Sequence, residues 1–132
     1  MQPSDWLATP LGRRCLATEQ RLVRRLLDCV FGIEMLQLGT WGGRDQFIRY
    51  ARTQRVTIVD EPGSTDGADL ISRLDRLAIA SDSIDAIVLP HTLERSASPH
   101  DVLREAARVF DALRDWRRET AAQLGIGISG LP

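Results

Sequence analysis

Six consecutive residues, Ile84-Asp85-Ala86-Ile87-Val88-Leu89, are apolar at every position but one, and Pro90 stops the run. A stretch this short reads as a strand, and one without apolar–polar alternation is a strand buried on both faces. Such strands belong to parallel sheets covered by helices, so an α/β fold is the first expectation.

The rest of the chain supplies the alternating elements. Residues 11–30 place Leu11, Cys15, Leu22, Leu26 and Cys29, joined by Leu16, Val23, Leu27 and Val30, on one broad helical face, with Arg13, Arg14, Arg21, Arg24 and Arg25 on the other. Glu19 falls inside the apolar face, so it needs either a neighbouring arginine or a ligand. Gly32 suits the left-handed position that ends a helix. Residues 33–38 read as a strand entering the turn Gly39-Thr40-Trp41-Gly42-Gly43; residues 44–53 read as a helix and residues 55–60 as a second strand. Residues 61–67 are a loop, and residues 68–77 suit a short helix or, by a small margin, a twisted strand. Ser98-Pro99-His100-Asp101 is a helix start, with serine at the N-cap and proline at N1. That helix is expected to run through Asp111 to about residue 123, and residues 125–129 alternate as a weak final strand.

At 132 residues the chain fits one domain, and its 17 basic residues are all arginine, with neither lysine nor asparagine present. Loss of both A-rich codon sets points to a GC-rich, bacterial genome. A formal net charge of −1 offers no general attraction to nucleic acid or lipid. No apolar run reaches the roughly 18 residues of a membrane span, and the opening residues do not resemble a signal peptide, so the expected location is cytoplasmic. Cys15 and Cys29 are about 21 Å apart along one helix at 1.5 Å rise per residue, too far for a disulfide. His91 and His100 lack an adjoining cysteine or acid cluster, so no metal site is expected.

In a parallel sheet, ligands sit beyond the carboxyl ends of the strands, where strand order reverses. A glycine turn after the first strand lets the backbone approach a ligand, and an acid ending the second can accept both hydroxyls of a ribose. Gly39 and Asp60 stand 21 positions apart, near the spacing of nucleotide sites. Trp41 takes the place of a second glycine, which suits a nucleoside without a pyrophosphate.

Three ordered blocks, Gln37-Leu38-Gly39-Thr40-Trp41-Gly42, Asp82-Ser83-Ile84-Asp85-Ala86-Ile87-Val88-Leu89 and Leu103-Arg104-Glu105-Ala106-Ala107-Arg108-Val109-Phe110, resemble those of class I S-adenosylmethionine-dependent methyltransferases. The likeness is to small bacterial members related to the type 11 methyltransferase domain, and Trp6-Leu7-Ala8-Thr9-Pro10-Leu11-Gly12 and Leu89-Pro90-His91-Thr92-Leu93-Glu94 also resemble that branch. It implies a three-layer, Rossmann-like fold with a mostly parallel, incomplete sheet of about four to five strands. It divides the single domain into an N-terminal helical segment (1–32), a cofactor-binding half (33–110) and a divergent tail (111–132). It also implies S-adenosylmethionine as cofactor, with Gly39, Trp41 and Gly42 along its methionine part and Asp60 or Glu61 on the ribose. Asp75, Arg76 and Leu77 would flank the adenine, and His91 would face the methyl-transfer site, as a base or as a hydrogen-bonded loop residue. The methyl acceptor is left open.

The chain departs from that family in places. The stretch before Leu77 is short, Ala78 stands where proline is usual, and Arg73 replaces a frequent acid. After Phe110 the family's last strands, which shape the substrate pocket, have no counterpart, as in a truncated or frame-shifted member. A sheet cut there leaves the 84–89 strand at an open edge. A homodimer through that edge is expected, with the tail or another protein as alternative covers. The competing functional expectation is a non-catalytic remnant that acts as an interaction or regulatory module through the edge and the arginine-rich segment 111–123.

Overall fold

The computed structural model describes residues 3–64 and 66–111. Two helices open the fold, α1 (Pro3–Leu7) and α2 (Pro10–Leu27). Thr9 caps α2 by accepting from the Gly12 N–H (3.1 Å), Pro10 stands at the position that needs no amide donor, and the Thr9 hydroxyl donates to the Trp6 carbonyl (2.6 Å). The helix ends at Asp28, not at Gly32 as the sequence suggests. Gly32, at φ +153°, instead lets the chain pass the Asp85 side chain, which a Cβ there would approach to 2.8 Å.

Four strands follow: β1 (Glu34–Leu38), β2 (Arg55–Asp60), β3 (Leu70–Ile71) and β4 (Ala86–Val88). They pair in the order β3-β2-β1-β4, all parallel. The α/β class is therefore as expected, and strand order reverses between β1 and β4. Helices α3 (Thr92–Arg95) and α4 (Pro99–Val109) come after the last of these strands. Leu36, Leu38 and Val59 from one sheet face pack with Leu74, Leu77, Ile84, and Val102, Ala106 and Val109 of α4. Met35, Gln37 and Ile58, at the alternate positions, are buried on the other face. The result is a three-layer, Rossmann-like arrangement.

Several expectations change. The connection from β1 to β2 holds turns but no helix over residues 44–53, with Phe47 buried beneath it. On α2, Leu11, Leu22 and Leu26 are exposed, and Leu27 and Gly12 are its buried residues. β4 is half-buried rather than enclosed, because it lies at the end of the strand order. Helix α4 stops at Val109, and Phe110 turns extended to bridge Ile84 in parallel, with the Asp111 N–H donating to the Ile84 carbonyl (2.9 Å). The expected helix through Asp111 is thus replaced, at residues 110 and 111, by sheet pairing. The expectations for residues 112–123 and 125–129 lie outside the described residues. Among the described residues no helix is long and apolar enough to cross a membrane.

Candidate functional site

The carboxyl ends of β1, β2 and β4 carry the site. Gly39 adopts φ +86°, a conformation open chiefly to glycine, and a Cβ there would come within 2.9 Å of Thr92 Oγ1. That close approach is fastened: the Thr92 hydroxyl donates to the Leu38 carbonyl (2.5 Å), and the Gly39 N–H donates to the Val59 carbonyl (2.7 Å). Gln37, buried in the middle of β1, shapes the turn from below by donating to the carbonyls of Gly39 (2.8 Å) and Arg44 (3.1 Å). Gln37 Oε1 and Trp41 Nε1 are buried without a hydrogen-bond partner among the described residues, one acceptor and one donor.

Asp60 ends β2 facing this turn. Its Oδ2 accepts from the hydroxyls of Thr40 (3.0 Å) and Ser64 (2.5 Å), and its Oδ1 accepts from the Glu61 N–H (2.8 Å). Thr40 Oγ1 also lies 2.7 Å from Asp66 Oδ2. One hydroxyl carries one proton, so Thr40 serves one carboxylate at a time and the other keeps acceptor capacity for an incoming hydroxyl.

Two concavities adjoin here. A small cleft of about 90 Å³ is lined by Gly39, Asp60, Glu61, Leu74 and Thr92, with Thr40 and Arg95 at its border. A wider one of about 610 Å³ shares Thr40 and Arg95 and is lined by Leu7, Leu16, Trp41 and Gly42. Arg95 divides them, donating to the Thr40 carbonyl (2.7 Å) with its guanidinium 5.4 Å from the centre of the Trp41 ring. Ligand pockets usually span roughly 300–1,000 Å³, so the small cleft alone is too small for a whole ligand, and the space continues toward Trp41 in the wider one.

His91 stands at φ +53° between β4 and α3. Its Nε2 lies 2.8 Å from Glu19 Oε2 of α2 and its Nδ1 2.5 Å from Glu94 Oε1, while its ring lies 4.4 Å from that of Trp41. Burial favours the neutral ring, but the hydrogen bonds and charges of Glu19 and Glu94 outweigh it and raise the pKa above the ordinary histidine value. The partner of Glu19 is thus a histidine 72 positions away, not a nearby arginine. A ring held at both nitrogens by carboxylates from α2 and α3 is a clamp between those elements.

Asp75, Arg76 and Leu77, expected to flank an adenine, are not among the residues that line the two concavities. Asp75 is taken by Arg73, through paired contacts of 2.9 and 2.8 Å, which hold its carboxyl below the usual range. Leu77 is in the core, its N–H bound by Glu105 (2.7 Å) and its carbonyl by Arg108 (3.0 Å). Leu74, three residues earlier, reaches the cleft instead. Arg95 was missed by sequence reasoning, and Thr40 and Thr92, which lie in the strand-end turns at 39–43 and 90–94 where a ligand is expected, were not singled out there.

No protein-family model and no curated protein matches the sequence. Among solved structures, the fold is similar to that of a chain in the complex between the Haloferax volcanii Trm112 methyltransferase activator and a candidate methyltransferase, with a TM-score of 0.53 and 21% identity. The match covers 83% of this chain and 56% of that one, so the chain spans little more than half the length of the structure it matches. At that identity the likeness is one of fold alone, the three-layer α/β arrangement described above.

Proposed function

We propose that the chain is a class I methyltransferase-like domain that binds S-adenosylmethionine in the paired concavities beyond β1 and β2. The observation that carries the reading is the meeting of the Gly39 turn and the Asp60 carboxylate at the carboxyl edge of a parallel sheet, beside the reversal of strand order. In this reading the bound cofactor supplies an activated sulfonium methyl, and the protein's task is alignment and exclusion of water. Asp60, with Glu61 beside it, would accept from the ribose; Gly39, Trp41 and Gly42 would border the methionine part. The Glu19–His91–Glu94 chain would position Trp41 rather than remove a proton. The acceptor is not assigned.

Calorimetric titration tests this. Micromolar affinity for S-adenosylmethionine and S-adenosylhomocysteine is expected, falling at least about tenfold in Asp60→Ala, which removes charged hydrogen-bond acceptors, and lost in Gly39→Val. No detectable heat with either compound rejects the reading and favours a non-catalytic interaction module.

The partner proposed is a second copy, meeting this one at the β4 edge. Its support is that, beyond the Ile84 bridge to Phe110, Ala86–Val88 has no strand on its outer side among the described residues. Sedimentation velocity at micromolar concentration is expected to show a dimer, and a compact monomer rejects that part.

A further inference from the structure

We propose that the face formed by α2 and the turn at residues 46–50 binds single-stranded nucleic acid, its phosphates held by Arg14, Arg21, Arg24 and Arg25. The near-neutral charge of the whole chain hides an uneven distribution. Helix α2 carries five arginines and one glutamate, in a chain whose formal net charge is −1.

Pairing separates those arginines from most of the others; Arg13 and Arg95 are held instead by the carbonyls of Ala8 and Thr40. Arg44, Arg49, Arg52, Arg55, Arg73, Arg104 and Arg108 each have a carboxylate within 4.0 Å. Arg14, Arg21, Arg24 and Arg25 are exposed and form no ion pair among the described residues. Like charges three and four positions apart, as at Arg21, Arg24 and Arg25, weaken an isolated helix. An anion bound across them removes that cost.

Beside them lies a cavity of about 410 Å³, lined by Gln20, Arg21 and Arg24 of α2 and by Gln46, Arg49 and Tyr50 of the facing turn, with no carboxylate in its wall. Arg49 is held only loosely, 3.8 Å from Asp45. The Arg24 guanidinium sits 4.3 Å from the centre of the Tyr50 ring, which fixes it at the rim. Gln20 donates to Gln46 Oε1 (2.5 Å) and keeps its own carbonyl for an incoming donor. The cavity thus offers guanidinium groups for phosphate and amide edges for a base.

Geometry chooses among anions. Arg14 and Arg25 are about 16 Å apart at 1.5 Å rise per residue, farther than one phosphate can bridge and suited to a row of them. A concave pocket receives a base only when that base is out of a duplex stack, which favours a single strand. A bilayer is flat and leaves the cavity empty, although Leu22 and Leu26 are exposed on the adjoining strip of α2. The proposal is independent of the cofactor reading, since a strand can bind here with S-adenosylmethionine bound or absent.

Fluorescence anisotropy with a labelled mixed-sequence oligonucleotide of about 12 nucleotides is the test. Binding is expected to weaken with salt, with a slope of log affinity against log salt of about −2 to −3, as three to four phosphate contacts give for single strands. Arg21→Glu/Arg25→Glu is expected to cut affinity at least about tenfold and to flatten the slope by about 1.4. Arg104→Glu, which removes the same kind of charge from α4, is expected to leave both unchanged. Arg21→Gln/Arg25→Gln, with circular dichroism to verify folding, replaces the reversed pair if that fails to fold. The proposal is overturned by absence of binding at low salt, by an equal loss in Arg104→Glu, by equal affinity for a nucleoside monophosphate, or by phosphatidylserine vesicles binding where the oligonucleotide does not.

Discussion

A methyl group added to Gly12 would lie 2.1 Å from the carbonyl oxygen of Trp6, and that oxygen belongs to the backbone, where α1 meets α2. In an exposed helix, glycine to alanine is stabilising by about 0.5–1 kcal/mol, because alanine loses less backbone freedom on folding. Here overpacking decides the sign. Gly12→Ala is expected to destabilise by about 1–3 kcal/mol net, read as a lower midpoint in thermal unfolding, while an alanine at exposed Arg25 on the same helix does little. Nothing in the local pattern distinguishes Gly12 as a contact, since a glycine two residues after a helix-starting proline reads only as a weak spot. The same limit hid Gln37. Its place in an apolar strand is plain from sequence, but its two bonds to the carbonyls of Gly39 and Arg44 depend on how the turn folds back over it.

At the scale of elements, the parallel strands were legible from composition: β1, β2 and β4 all fall within the short apolar or β-branched runs that predict them. The one polar residue of the 84–89 run turns out to join strands. Asp85 Oδ2 accepts from the N–H groups of Ile33 (2.8 Å) and Glu34 (3.0 Å), and the Asp85 N–H donates to the Glu34 carbonyl (2.9 Å), so the mouths of β1 and β4 are tied together by side chain and backbone. Helical periodicity was a poorer guide. Residues 44–53 have the composition of a helix, yet the Gly42 carbonyl is bound by the Gln46 side chain (2.9 Å) and the connection remains a series of turns. On α2, only part of the expected apolar face is covered: Leu27 is buried and Leu16 and Val23 are half-buried, whereas Leu11, Leu22 and Leu26 are exposed, and Gly12, outside the apolar pattern, packs against α1. Helix α4 was read past its end for a similar reason: residues 110 and 111 leave the helix to pair with Ile84, a partner about 26 positions away that no local window contains.

Across the whole molecule, the ionisable groups give folding stability two limbs in pH, each with a different sign. Asp69 has a carboxyl held below its usual value, first by the Ile58 N–H and then by Arg44; Glu105 is lowered chiefly by Arg108, with the Leu77 N–H adding to it. A depressed acid contributes stability that is present above its unfolded pKa, near 4, and is lost as pH falls through the lower folded value. His91 has the opposite sign. Raised by Glu19 and Glu94 against the pull of burial, it contributes stability that is complete below its unfolded pKa, near 6.5, and is lost as pH rises through the folded value. Thermal unfolding followed from pH 3 to pH 9 is therefore expected to give a plateau near pH 5–6, with a fall on each side. Asp69→Asn keeps an acceptor for the Ile58 N–H and should flatten the acid limb alone. His91→Gln should flatten the alkaline limb alone, since among the described residues no other group with a raised pKa titrates there. An alkaline limb unchanged in His91→Gln would mean that the bridge from α2 to the end of β4 does not form in solution, and with it would go the clamp on Trp41 that borders the larger concavity.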